Sequence, residues 1–158
     1  APTLVTSGAL TNLDTSMSYN VEAAYSVGSL LLQGQYLSST FERSLGGDVT
    51  ADGFYVQAGW IVTGERHRYG DAVGVFTGPR PDHDWGAVEL AARVSSLDLS
   101  EAGAGASGTA DDYTVGVNWY LGQNFRLMAN YVHSELDAVN PAFDRDVDVV
   151  QARAQLDF

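Results

Sequence analysis

Charged side chains recur at alternating positions along several stretches of this 158-residue chain. Glu89 and Arg93 lie four residues apart in GAVELAARVSSL, and Arg126 and Arg153 stand at polar positions of FRLMANYVHS and VVQARAQLDF. Every second side chain of a β-strand points to the same face of a sheet. Charges arranged in this way either attract ions to water beside that face, or pair with one another and stiffen the sheet. The sequence leaves both interpretations open, since Glu22, Glu89 or Asp157 could balance the arginines.

The alternation of apolar and polar residues recurs in eight segments and predicts an all-β protein. Residues 3–10 form the weakest segment, and no helical period is sustained over ten residues. We therefore expect one domain, residues 1–158, built as an antiparallel sheet without a separate soluble domain. The seven clearer segments are SMSYNVEAAYS, SLLLQGQYLSS, GFYVQAGWIV, GAVELAARVSSL, DYTVGVNWYL, FRLMANYVHS and VVQARAQLDF.

Composition excludes several classes of function. The net charge is −12 and all eight basic residues are arginines scattered along the chain, which argues against nucleic-acid binding. The chain has no cysteine, and no apolar run is long enough for a membrane-spanning helix. No enzyme motif is present, so neither catalysis nor a cofactor is predicted. His67, His83 and His133 are unclustered in the sequence, and no metal site is predicted.

The residue types on the two predicted faces favour a membrane barrel over a soluble one. The polar face holds mostly small uncharged residues instead of the Lys/Glu coat of a soluble sheet. The apolar face carries aromatic residues, as in outer-membrane barrels whose aromatic girdles meet lipid headgroups. The predicted lipid-facing or girdle residues are Tyr19, Phe54, Trp60, Tyr113, Trp119, Phe125 and Tyr131. The candidate pore-lining residues are Glu89, Arg93, Asn118, Arg126, Asn130, Gln151, Arg153 and Gln155.

Loop lengths indicate an orientation. The turns at 27–29 and 122–124 are tight, whereas FERSLGGDVTAD, SEAGAGASGTADD and LDAVNPAFDRDVD are long and acidic. Short periplasmic turns and long external loops are typical of outer-membrane barrels. The connection 63–86 breaks this rule, because it must be periplasmic and is yet the longest. It contains either an unrecognised hairpin or a long turn that covers or enters the barrel mouth, and we favour the turn.

Four segments together resemble the phosphate-selective porin O/P family. They are GFYVQAGWIVTGE, WGAVELAARVSSLDLS, YTVGVNWYLGQNFRLMANYVHSE and VDVVQARAQLDF, and the resemblance extends from about Asn20 to Phe158. It implies the C-terminal eight strands of a sixteen-stranded antiparallel transmembrane β-barrel in the outer membrane of a Gram-negative bacterium. It also implies a homotrimer that passes small ions or anionic solutes. The last strand then resembles the signal read by the outer-membrane assembly machinery, formed by Val150, Ala152, Ala154, Leu156 and Phe158.

Two alternatives remain open at this point. The chain could instead be a self-contained eight-stranded outer-membrane barrel with a filled interior, a structural or surface-interaction role and no conductance. The acidic clusters at Asp111–Asp112 and at Asp144, Asp146 and Asp148 could hold divalent ions that bridge lipopolysaccharide, or form a solvated rim. In either barrel the surrounding partners are outer-membrane lipid and lipopolysaccharide.

Overall fold

The structure is a computed structural model that describes residues 11–45, 47–70, 75–99, 101, 107–122 and 124–157. The described part of the chain is all-β, apart from short 3-10 turns such as Pro141–Phe143, which confirms the predicted class. Residues 3–10 lie outside it. No helix in these ranges is long and apolar enough to cross a membrane. The strands are β1 (Leu13–Val27), β2 (Leu30–Arg43), β3 (Val49–Ile61), β4 (Arg68–Gly70), β5 (Val75–Thr77), β6 (Ala87–Asp98), β7 (Gly108–Tyr120), β8 (Phe125–Ala138) and β9 (Arg145–Leu156).

Seven strands form one antiparallel sheet in the order β1-β2-β3-β6-β7-β8-β9. They correspond to the seven clear segments of alternation, and each pairs with the next one along the main sheet. Among the described residues β1 and β9 each pair on one side only, so the sheet as described is open at both edges.

The strands extend beyond the apolar alternation that revealed them. The acidic segments predicted as long loops are partly strand, since Phe41–Arg43 continues β2, Thr109–Asp112 belongs to β7, and Asp146 and Asp148 belong to β9. The hydrophobic period ends where the facing side chains become polar, although the backbone pairing continues. The connection between β1 and β2 is a two-residue turn in which Gly28 has a φ of +58°, a left-handed conformation that glycine adopts at little cost.

The two faces of the sheet differ sharply in exposure. Strand register places the seven predicted girdle residues on one face, which we call the apolar face, and large side chains there are open to the surroundings, as with Met17 at 71 % and Val150 at 82 % exposed. The buried apolar cluster is small and comprises Ile61, Ala87 and Tyr120. This sheet therefore does not bury its apolar face within the described chain, the reverse of a soluble sandwich.

The connection 63–86 contains a short hairpin, because β4 and β5 pair as a separate two-stranded sheet. The unrecognised hairpin, the alternative that we did not favour, is therefore present, and its three-residue strands are too short to show alternation. The prediction that the segment covers or enters a barrel mouth stays a prediction. The hairpin adds no strand to the main sheet. Its segment instead packs on the other face of that sheet, where Gly78 approaches the Tyr120 ring so closely that a Cβ at position 78 would contact it.

Candidate functional site

The eight candidate pore-lining residues share one face of the sheet, which we call the polar face. Glu89 is paired with Asn118, Asn130 with Gln151, and Arg126 with Gln155 across neighbouring strands. Directly opposed residues of antiparallel strands lie on the same face. Arg93 and Arg153 fall on that face by the same register, opposite Thr114 and Met128. The alternation thus placed these eight side chains together, on the side opposite the girdle residues.

Glu89 and Arg93 have separate partners. The carboxylate of Glu89 accepts hydrogen bonds from Asn118 Nδ2 at 2.9 Å and from the Tyr120 hydroxyl at 2.7 Å. The guanidinium of Arg93 stacks over the Tyr55 ring, 4.1 Å from its centroid. The ion-pair ladder between Glu89 and Arg93 that the sequence allowed is therefore replaced by a hydrogen-bonded carboxylate and a cation–π contact.

Residues of segment 63–86 complete the surroundings of Glu89. The side chain of His67 is 3 % exposed, and its Nε2 lies 3.7 Å from Glu89 Oε1. Gly59 of β3 leaves room for both groups, since a Cβ there would lie 2.5 Å from Glu89 Oε1 and 3.5 Å from His67 Cε1. Glu89 thus links β6 to β7 by hydrogen bonds and contacts the segment that packs on them.

A second buried carboxylate, Glu65, organises the segment internally. It accepts hydrogen bonds from the Thr63 hydroxyl and from the backbone N–H of Asp82, and it contacts His83 Nδ1 at 3.4 Å. Burial alone would raise the pKa of the Glu65 carboxyl, but these hydrogen bonds outweigh it and hold its pKa below the usual value. Glu65 is therefore a charged anchor that ties the two ends of the segment together.

Three arginines line a cleft of about 480 Å³ between segment 63–86, the C-terminal end of β7 and the N-terminal end of β8. Arg68 and Arg80 come from the segment and Arg126 from β8; we call this space the arginine cleft. Arg126 donates from Nη2 to Gln155 Oε1 at 2.8 Å, and Gln155 in turn donates to Asp157, which is the acidic residue that lines the cleft. Three of the eight arginines of a chain with net charge −12 thus meet at one site. Such a cluster attracts anions.

The arginine cleft was only partly predicted from the sequence. Arg126 was recognised by its place in an alternating strand, whereas Arg68 and Arg80 were missed because their segment has no periodicity. The available signal was the run RHR at 66–68, two of the eight arginines within three residues.

Amide side chains line a smaller recess of about 250 Å³ on the polar face. Gln57 Nε2 donates to Gln33 Oε1 at 2.6 Å, and the side chain of Asn130 crosses over Gly116, where a Cβ would collide with its amide oxygen. Glu89 and Arg93 also line this recess. The recess therefore combines amide side chains with one charged group of each sign.

Two acidic residues near the N-terminal end of β9, Asp144 and Asp148, accept hydrogen bonds from groups of β8. Asp148 accepts from the Tyr131 hydroxyl at 2.7 Å and contacts His133 Nδ1 at 2.8 Å, while Asp144 accepts from the N–H of Ala138. Within the described ranges, no cluster of three or more His, Asp or Glu side chains has the arrangement of a metal site. His67 and His83 contact different carboxylates, Glu89 and Glu65.

The predicted assembly residues lie on an edge strand. Val150, Ala152, Ala154 and Leu156 project from the apolar face of β9, each opposite an apolar-face residue of β8. Phe158 lies outside the described residues. These residues therefore form an apolar row on β9, which pairs on one side only among the described residues, and their role in assembly remains a prediction.

A sheet with an exposed apolar face, a hydrophilic opposite face and a segment with three arginines packed on that hydrophilic face has the features of a porin wall. Comparison with known proteins agrees. The chain belongs to the family described as phosphate-selective porin O and P, whose profile matches residues 1–158.

Two relatives illustrate the relationship. Porin O of Pseudomonas aeruginosa is 26 % identical over 152 residues, which cover 89 % of this chain and 35 % of Porin O. An uncharacterized protein of Caulobacter vibrioides is 28 % identical over 155 residues, covering 92 % of this chain and 31 % of that protein. The chain thus spans about a third of the length of these relatives.

Proposed function

We propose that this chain forms part of the wall of an outer-membrane porin, a water-filled channel through which small anionic solutes diffuse passively. The arginine cleft carries the proposal, because it concentrates positive charge on the polar face of an otherwise acidic chain. Family membership supports the porin class. The outer membrane of a Gram-negative bacterium is the corresponding location.

The dimensions of the sheet support a membrane-spanning role. The seven strands have 12 to 15 residues each, more than the roughly 9–11 residues that a tilted strand needs to cross the hydrocarbon core. In this proposal the apolar face contacts lipid, and the strand ends bearing Asp111 and Asp148 lie at the external side. The open edges of the sheet pair with further strands, so that the chain supplies about half of a sixteen-stranded barrel. The assembled porin is a homotrimer inserted by the outer-membrane assembly machinery, with lipopolysaccharide at its external rim.

The channel and the filled eight-stranded barrel differ in whether water reaches the polar face. This chain has no cysteine, so each single-cysteine variant adds one thiol to it, and the unsubstituted protein measures the background of the labelling. We expect the Asn130→Cys variant, on the polar face, to react with a small membrane-impermeant maleimide in intact outer membranes. The matched Ala129→Cys variant, on the apolar face one residue away, should not react because lipid covers it.

The labelling pattern separates the two architectures. Reaction at position 130 but not at position 129 supports the channel. If neither variant reacts, the interior is filled, and the eight-stranded barrel without conductance replaces the channel. If both react, the apolar face is not in lipid and the membrane-spanning role is wrong.

A further inference from the structure

A buried histidine of segment 63–86 has an unsatisfied polar atom. His67 Nε2 is buried and has no hydrogen-bond partner, although it lies only 3.7 Å from Glu89 Oε1. A buried polar atom without a partner costs free energy, and such atoms are rare in native structures. Protonation of His67 would convert this contact into an ion pair with a carboxylate already in place.

The carboxylate of Glu89 is held in place by groups other than His67. Asn118 and Tyr120 both donate to its Oε2 atom, which leaves Oε1 directed at His67. Gly59 has no side chain to separate the two groups. The geometry therefore provides one partner for an imidazolium, held by two strands of the sheet.

His67 directly precedes β4, and the next residue, Arg68, lines the arginine cleft. We propose that His67 is a positioning residue: when protonated it pairs with Glu89 and holds Arg68 at the arginine cleft, so that anion preference increases as the pH falls. This inference rests on the channel proposed above. It assigns His67 no contact with the solute.

The charged and titratable groups around His67 determine the direction of the effect. Glu89 faces it from β6 and the Tyr120 hydroxyl lies behind that carboxylate on β7, with Arg126 of β8 next to Tyr120. Gly59 of β3 lies beside it, and the segment itself carries Glu65, Arg66 and Arg68. Histidine side chains change charge between about pH 5 and 8.

The test measures reversal potentials of the purified full-length protein in planar bilayers under a salt gradient, from pH 5.5 to 8.5. We expect the wild-type ratio of anion to cation permeability to fall about twofold over this range, as Arg68 moves away from the cleft. His67→Gln and Glu89→Gln should each make the ratio independent of pH over that range. His83→Gln is the matched control and should keep the pH response, since His83 contacts Glu65 and is half exposed.

A second measurement does not depend on conduction. A nitroxide label on a Tyr69→Cys variant, two residues after His67, reports the mobility of β4 in the cysteine-free chain. We expect the label to become more mobile as the pH rises, and adding His67→Gln should remove the change. Mobility that does not vary with pH, or a pH response of permeability that persists in His67→Gln, would overturn the role of His67. A wild-type channel without anion preference at any pH, together with pH-dependent mobility of the label, would instead refute the proposed function alone.

Discussion

Gly86→Ala is expected to destabilise the protein by about 2–5 kcal/mol. Gly86 has a φ of +104°, a conformation that costs a residue with a Cβ about 1–2 kcal/mol. A Cβ at this position would also lie well inside contact distance of the Tyr120 carbonyl oxygen and 3.0 Å from Trp119 Nε1. Such overlap with a neighbouring strand typically adds about 1–3 kcal/mol. Trp119 Nε1 donates to the carbonyl of Trp85, so the same change disturbs the point where segment 63–86 rejoins the sheet.

Gly64→Ala provides the matched control, because Gly64 has a φ of +98° but nothing within 4 Å of a Cβ. It should cost only the conformational part, about 1–2 kcal/mol. Urea unfolding of the two variants in detergent micelles, followed by tryptophan fluorescence, compares their free energies of unfolding. Equal losses of stability in the two variants would show that Gly86 does not pack against β7 as described.

Arg68→Gln is expected to lower the ratio of anion to cation permeability about two- to threefold. A unit charge about 7 Å from a passing ion contributes roughly 0.6 kcal/mol in water and more beside a protein wall. Because Arg126 and Arg80 line the same cleft, the triple variant should lose on the order of tenfold and approach neutrality. The difference should shrink at 1 M salt, where screening shortens the range of each charge to about 3 Å.

Arg66→Gln is the control for this prediction. Arg66 lies two residues from Arg68 on the same segment but does not line the arginine cleft. Its substitution by Gln removes the same formal charge as Arg68→Gln. Its permeability ratio should stay close to that of the wild type. Equal effects of Arg66→Gln and Arg68→Gln would mean that net charge, and not the cleft, sets the preference.

The period-two pattern predicted most of the fold because residues paired across neighbouring strands lie on the same face of the sheet. In an antiparallel sheet whose registers are in step, a residue such as Asn118 fixes the face of its neighbours Glu89 and Met128. One strand read correctly therefore assigned the faces of the others. The same pattern ended too early at Ser39 and began too late at Gly53, because β2 continues to Arg43 and β3 already begins at Val49.

The site was less predictable because half of it comes from a segment without periodicity. The positions of His67, Arg68 and Arg80 depend on how segment 63–86 packs on the sheet, which involves contacts far apart in the sequence. Gly59 shows this best: within its strand it reads as a small residue on the polar face, and only the structure shows that it makes room for Glu89 and His67.

The reversal potential of the wild-type full-length protein, in a bilayer separating 0.1 M from 1 M potassium chloride, tests the porin proposal most directly. The proposal predicts stepwise conductance with a reversal potential whose sign shows anion preference, because it places the arginine cleft on a water-filled path. Stepwise conductance with cation preference would contradict the role of the cleft. A protein that inserts but conducts nothing would contradict the channel itself.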